Sequence, residues 1–151
     1  MSKENYFSYY TGSDVLPENV FKISPSRISK FLDDTSNWYR ECVLDQAPMF
    51  AGNTASFLGT TVHGLADMYN KTGKVDYGLA EDFIDSITDL TVDKDYIRKH
   101  YQVMAEALIS QFLSKVSGKS EVFMYHEVIP GVVVGGSIDL LCPTEIVDYK
   151  T

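Results

Sequence analysis

The stretch that most constrains this chain lies at its C-terminal end, where two β-strand patterns are separated by a very short linker. Residues 132–141 are rich in valine, isoleucine and leucine and predict one strand, and residues 145–150 predict a second. The linker between them is only the three residues 142–144. Because so short a connection joins neighbouring antiparallel strands most easily, the sequence predicts a β-hairpin here.

This hairpin is expected to bring charged side chains of opposite sign together. Side chains alternate between the two faces of a strand, so Asp148 and Lys150 share one face and Tyr149 points to the other. Asp139, near the end of the first strand, is then close to Asp148 across the hairpin. Two adjacent carboxylates need a cation between them or a shared proton, and Mg²⁺ or Mn²⁺ suits such oxygen ligands. The spacing alone also fits a surface hairpin whose charges face solvent.

Four segments of the chain, two of them in the predicted hairpin, resemble a known family. Gly135-Gly-Ser-Ile-Asp139 (with Gly135 or Gly136 as the motif glycine) and Val147-Asp-Tyr-Lys150 resemble the core of the PD-(D/E)XK nuclease superfamily, in particular its RecB-like exonuclease branch. Gly59-Thr-Thr-Val-His63 is similar to the G-x-x-x-H helix of that branch. Ser24-Pro-Ser-Arg-Ile-Ser-Lys-Phe31 is similar to its upstream S-x-S-x-I-x-x-F segment. The matches occur in the family's order.

The resemblance implies a divalent-metal-dependent exonuclease, bacterial or from a phage, that hydrolyses DNA in recombination, repair or phage DNA processing. It implies that Asp139, Asp148 and Lys150 are catalytic, with Lys150 positioning or activating the attacking water. His63, Asp139, Asp148 and the backbone carbonyl of Tyr149 are the implied ligands of Mg²⁺ or Mn²⁺. Because imidazole accepts Mn²⁺ more readily than Mg²⁺, we expect a preference for Mn²⁺.

Two further groups of residues are candidates with open alternatives. Glu127, on a strand predicted over residues 121–129, either joins the metal site or forms a cross-strand salt bridge. Ser24, Ser26 and Arg27 begin a predicted helix, where N–H groups, hydroxyls and a guanidinium could hold a DNA phosphate. Plain helix capping beside a surface arginine accounts for the same three residues equally well.

The chain as a whole predicts an α+β domain with a restriction-endonuclease-like core, in which helices pack on a small, mostly antiparallel sheet. We expect residues 1–22 to be an irregular arm and residues 23–151 to be the nuclease-like domain. Helices are predicted from Pro25 onward, over 38–44, over 54–71, over 78–90 and over 91–116. The residues expected in the core include Ile28, Phe31, Leu32, Trp38, Tyr39, Cys42, Val43, Leu58, Val62, Leu65, Tyr69, Ile97 and Tyr101.

The composition limits the partners and cofactors. Thirteen Lys and Arg against twenty-one Asp and Glu give a net charge of −8, which argues against a broad basic DNA-binding surface but allows a metal-centred cleft. The two cysteines, Cys42 and Cys142, cannot supply the four ligands of an iron–sulfur cluster, so none is expected. The chain has no apolar run of about 18 residues and no signal-peptide pattern at its start. We expect it in the cytoplasm of a bacterium or of a phage-infected host cell.

Relatives in the RecB-like branch continue well beyond the motif lysine, whereas one residue follows Lys150 here. We therefore expect a truncated domain, which can lack activity alone and can depend on a complementing C-terminal segment or protein partner. A designed truncation, one half of a split enzyme and a fold reused for binding are the alternatives. The last of these is a non-catalytic interaction module, whose partner binding would survive the loss of Asp139 and Asp148.

Overall fold

The computed structural model of this protein describes residues 5–8, 12, 14–46 and 52–150. These residues form β1 (Phe21–Ile23), α1 (Pro25–Asp33), α2 (Thr35–Cys42), α3 (Thr54–Thr72), α4 (Tyr77–Ser86), α5 (Lys94–Gln111), a short 3-10 helix (Leu113–Lys115), β2 (Lys119–Ile129), β3 (Val132–Leu141) and β4 (Ile146–Val147). The α+β class predicted from the sequence is confirmed.

The strands form one small mixed sheet with the order β1-β3-β2, and β4 pairs with β3. β2 and β3 are neighbours joined by a tight turn at Gly131, whose φ of 80° suits glycine, so they run antiparallel. β4 is antiparallel to β3, with Leu140 opposite Val147. β1 is parallel to β3 and pairs Phe21 with Val132. This parallel strand was not predicted, because it lies at the end of the segment expected to be irregular.

The described residues fall into two compact units. The first unit comprises residues 5–8, 52–122 and 138–150, and the second unit comprises residues 12, 14–46 and 123–137. The helices α3, α4 and α5 belong to the first unit, and α1 and α2 belong to the second.

The core of the first unit is built where α3 packs against α4 and α5. Leu65 and Ile97 are fully buried and Val62 nearly so, as the predicted apolar stripes of α3 and α5 require. Phe7, near the N-terminus, also packs against this core, with its ring stacked on Phe83 at a centroid distance of 5.2 Å. A second buried cluster joins α3 to the hairpin and consists of Ala66, Leu113, Leu140, Cys142 and Tyr149.

The ends of α3 are set by local capping. The Asn53 side chain accepts a hydrogen bond from the Ser56 N–H at 2.8 Å, so Asn53 is the N-cap. Gly73 ends the helix with a φ of 72°. α3 spans 19 residues. Among the described residues, no helix combines the length and the apolar character needed to cross a membrane.

The helices of the second unit bury less than their sequences predict. α1 and α2, which are both fully described, contain no fully buried residue. Leu32 is 74% exposed and Tyr39 is 50% exposed, and Ile28, Phe31 and Val43 are also exposed. These five residues were predicted to be core, and that prediction is wrong. The helices pack on each other through contacts such as the edge-to-face pair of Phe31 and Trp38, so much of their apolar surface stays open.

Replacing Leu65 by alanine should lower the free energy of unfolding by about 2–5 kcal/mol, because the side chain is completely buried between α3 and its neighbours. Leu90 is fully exposed, so Leu90→Ala should change that free energy by less than about 0.5 kcal/mol. Urea unfolding of both variants measures the difference. Equal destabilisation by the two changes would contradict the placement of this core.

Candidate metal centre and catalytic residues

Three potential metal ligands from three elements of the first unit come together. They are His63 on α3, Glu121 on β2 and Asp139 on β3, and one ligand atom from each lies within 4.8 Å of the other two. All three residues are half-buried. An imidazole nitrogen with two carboxylates is a donor set that suits Mn²⁺ or Mg²⁺, so the residues present fit a divalent cation.

His63 is positioned by the buried stripe beside it. Its neighbours Val62 and Leu65 are buried in the core, which leaves the imidazole on the flank of α3 with 26% of its side chain exposed. Gly64 allows the chain to pass closely here, since a Cβ at this position would lie 2.7 Å from the Tyr6 carbonyl oxygen and would also overlap the Phe7 ring. The close approach is thus at Gly64, next to His63, and not at the motif residue Gly59.

Asp139 is held by the residues that face it. Its Oδ2 accepts a hydrogen bond from the Tyr149 N–H at 2.6 Å, and its Oδ1 lies 3.6 Å from His63 Nδ1. Burial alone would raise the pKa of Asp139, but the polar contacts with His63, the Tyr149 N–H and Asp148 outweigh it and hold the pKa below the usual value. Asp139 is therefore ionised at neutral pH.

The same contacts act on His63 with the opposite sign. The polar contact with Asp139 raises the pKa of His63, burial opposes this, and the charges of Asp139 and Glu121 add to the rise. A backbone hydrogen bond with Tyr149 also raises the pKa. His63 is therefore surrounded by groups that favour its protonated form.

The motif residues that follow β4 alternate as predicted. Asp148 and Lys150 are exposed and form an ion pair, whereas Tyr149 is only 8% exposed. The Tyr149 ring meets His63 edge-to-face at 5.6 Å, and its hydroxyl accepts a hydrogen bond from Asn70. Hydrogen bonding to Asp148 raises the pKa of Lys150.

β4 is shorter than predicted, since it covers Ile146–Val147 and not residues 145–150. The pairing of Leu140 with Val147 would place Asp139 opposite Asp148 as the next pair. At that point the Tyr149 N–H donates to the Asp139 side chain. A side-chain acceptor thus takes the place of the backbone acceptor that a longer strand would have used.

Glu121 was missed by the sequence reasoning, which considered Glu127. The two residues are six apart on β2, so strict alternation places both on one face and cannot choose between them. In the structure Glu127 accepts a hydrogen bond from the Gly131 N–H at 2.8 Å, at the β2–β3 turn. Glu121 is the glutamate that lies beside His63 and Asp139.

The three residues predicted to contact DNA lie at the start of α1 in the second unit. Ser24 is the N-cap and Pro25 follows at the first helical position, as predicted, but the Ser24 side chain makes no capping hydrogen bond. Its hydroxyl is instead 3.1 Å from that of Ser26. Arg27 donates to the Lys22 carbonyl oxygen at 3.3 Å. Ser26 and Arg27 line an open cavity of about 450 Å³.

A comparison with protein families gives a match over most of the chain. Residues 22–151 match the PD-(D/E)XK nuclease superfamily, a range that includes His63, Glu121, Asp139, Asp148 and Lys150. Neither the curated proteins nor the solved structures contain a significant match. The restriction-endonuclease-like fold predicted from the sequence is confirmed, and members of this superfamily are generally metal-dependent phosphodiesterases. The chain therefore belongs to the PD-(D/E)XK nuclease superfamily.

Proposed function

We propose that this protein is a divalent-metal-dependent DNA nuclease of the RecB-like exonuclease type, acting in DNA recombination, repair or phage DNA processing. The observation that carries the proposal is the convergence of His63, Glu121 and Asp139 within 4.8 Å in a chain of this superfamily. The motif residues Asp148 and Lys150 flank Tyr149, whose backbone N–H holds Asp139.

The metal ligands in this proposal are His63 and Asp139, with Glu121 added from the geometry. Asp148 and the Tyr149 carbonyl complete the set by family resemblance. A bound divalent cation would supply positive charge to the scissile phosphate and lower the pKa of a bound water. The imidazole ligand favours Mn²⁺. Glu127 is a weaker candidate than Glu121, because one oxygen of its carboxylate already accepts a hydrogen bond from the Gly131 N–H in the adjacent turn.

The remaining groups have roles that follow from their contacts. Asp148 pairs with Lys150 and holds the ammonium in its charged form, so Lys150 acts as a hydrogen-bond donor and cation rather than as a general base. In this role it orients the attacking water or neutralises charge on the phosphate oxygens. His63 and the Tyr149 N–H together keep Asp139 ionised, and the N–H fixes the orientation of its carboxylate.

Ser24, Ser26 and Arg27 would bind a backbone phosphate of the DNA. The first helical turn of α1 offers backbone N–H groups and the positive end of the helix dipole, with two hydroxyls and a guanidinium beside it. Because the net charge of the chain is −8, binding through a few such local contacts is more consistent with the sequence than a broad basic surface.

A non-catalytic interaction module is the second candidate function. The exposed Leu32 and Tyr39, together with Ile28, Phe31 and Val43, favour it, since α1 and α2 present apolar surface to solvent. This alternative requires neither a bound cation nor Lys150. Metal binding and cleavage therefore discriminate between the two functions.

Lys150→Ala should lower the rate of Mn²⁺-dependent cleavage of DNA by at least about 100-fold while leaving Mn²⁺ affinity nearly unchanged, because the ammonium acts on the substrate. Asp139→Asn should lose both Mn²⁺ binding and cleavage. The two effects are measured by calorimetric Mn²⁺ titration and by the release of nucleotides from end-labelled DNA. The charge-matched control is Lys115→Ala, which removes the same charge from an exposed position. If Lys150→Ala cleaves like the parent protein, the catalytic assignment is wrong. If the folded parent neither binds Mn²⁺ nor cleaves, the interaction module becomes the better explanation.

The affinity for Mn²⁺ should fall as the pH falls through the pKa of His63. A protonated imidazole cannot bind a metal, so below that pKa the affinity should drop by about tenfold per pH unit. Because the pKa of His63 is raised above its ordinary value, the drop should begin at a higher pH than for an isolated histidine. Mn²⁺ titrations between pH 5.5 and 8.5 test this, with His63→Asn expected to bind more weakly and to lose this step. An affinity independent of pH across the range would remove His63 from the ligand set.

Arg27→Ala should weaken binding of DNA of any sequence and reduce the slope of log affinity against log salt by about one, as expected for the loss of one phosphate contact. Fluorescence anisotropy at several salt concentrations measures the slope, in Ca²⁺ to prevent cleavage. Lys99→Ala removes the same charge from an exposed position on α5 and is the matched control. Equal effects of the two variants would indicate a general charge effect and exclude a specific contact at Arg27.

A further inference from the structure

α3 carries a second polar group on the turn that follows His63. Asp67 is only 6% exposed, although it is a carboxylate on a helix that packs into the core. One of its oxygens accepts a hydrogen bond from the Ser120 hydroxyl, and the other lies 2.9 Å from the Lys71 ammonium. A buried carboxylate is destabilising without such partners. One of the two partners comes from β2, immediately before Glu121.

The backbone at Glu121 adopts a conformation that its residue type disfavours. Its φ is 51°, in the left-handed region, and among the described residues only Asn19 and Asp45 share a positive φ without being glycine. Asparagine and aspartate tolerate this region because their short side chains bond to the nearby backbone, whereas glutamate has no such advantage. Strain of this kind persists only where surrounding contacts enforce it, and it concentrates at functional sites.

We propose that Asp67 and Ser120 form a positioning pair that fixes the start of β2 against α3 and so holds Glu121 in its strained conformation with the carboxylate in the metal centre. The left-handed residue interrupts the strict alternation of β2 at this point, which lets the Glu121 side chain leave the direction set by the rest of the strand. α3 therefore serves the centre twice, through His63 as a ligand and through Asp67 as the support of a ligand. This inference rests on the metal centre of the proposed function.

The proposal makes Glu121 a residue that improves metal binding at the expense of stability. A glycine at this position would adopt a φ of 51° without steric cost, so it should stabilise the fold while removing a ligand. A glutamine would keep the strain and remove the charge. The two substitutions therefore separate the conformational role of the position from its role in binding.

The experiment measures Mn²⁺ affinity by calorimetry and the melting temperature in EDTA for a set of single variants. Ser120→Ala should lower Mn²⁺ affinity by about 10-fold or more, the usual effect of removing an outer support of a ligand, and Ser120→Thr should restore it by keeping the hydroxyl. Glu121→Gly should lose affinity but melt about 2–4 °C higher, whereas Glu121→Gln should lose affinity with little change in melting temperature. Ser114→Ala, at an exposed position in the 3-10 helix, is the control and should change neither quantity.

Each contrary result overturns a stated part of the proposal. If Ser120→Ala lowers the melting temperature but binds Mn²⁺ as the parent does, the Asp67–Ser120 pair is purely structural. If Glu121→Gly fails to raise the melting temperature in EDTA, the backbone at Glu121 is not strained. This conclusion holds regardless of the effect of the substitution on Mn²⁺ affinity. If Asp139→Asn abolishes Mn²⁺ binding while both Glu121 variants keep it, this proposal fails and the proposed function stands. A parent protein that binds no Mn²⁺ refutes both.

Discussion

The candidate centre depends on the interaction of Asp139 with the groups around it. This carboxylate accepts the Tyr149 N–H, faces His63 and lies near a second carboxylate, Glu121. Two half-buried negative charges at this distance repel each other, and the repulsion must be offset by positive charge. The carboxylate of Asp139, and more weakly that of Glu121, favours the protonated form of His63, which is the physical reason for its raised pKa. A divalent cation would displace the proton and neutralise both carboxylates.

The centre is held in place by core packing that has no chemical role. His63 and Asp67 lie on the flank of a helix whose inner residues Val62 and Leu65 are buried. On the other side, Leu140 is buried directly after Asp139, and Tyr149 is buried directly after Asp148. His63, Asp67, Asp139 and Asp148 thus each have a buried neighbour in sequence. Because buried side chains have little freedom, this arrangement restricts the motion of the charged groups beside them.

Much of the fold and part of the centre could be predicted from local patterns. The helical stripe of α3 and the alternation of Asp148, Tyr149 and Lys150 follow from periodicity, and both are found in the structure. Glu121 could not be found this way, because no residue spacing encodes its left-handed backbone angle or its proximity to His63 and Asp139. The strand β1 has only three residues, too few for a pattern to emerge.

The exposure of α1 and α2 is a second feature that local sequence patterns could not predict. The spacing of their apolar residues correctly predicts two helices. It does not determine how much of each helix is covered by the rest of the chain. Burial is a property of the assembled unit, whereas periodicity is a property of the segment alone.

The close approach at Gly64 has a consequence for how chains of this kind diverge. Phe7 and the Tyr6 carbonyl occupy the volume that any side chain at residue 64 would require. The choice of residue next to His63 is therefore coupled to a segment more than fifty positions away in the sequence. A related chain with a different N-terminal segment would vacate or reshape that volume, and a larger residue could then follow the histidine. A change of residue 64 should accordingly go together with a change in the segment around residue 7.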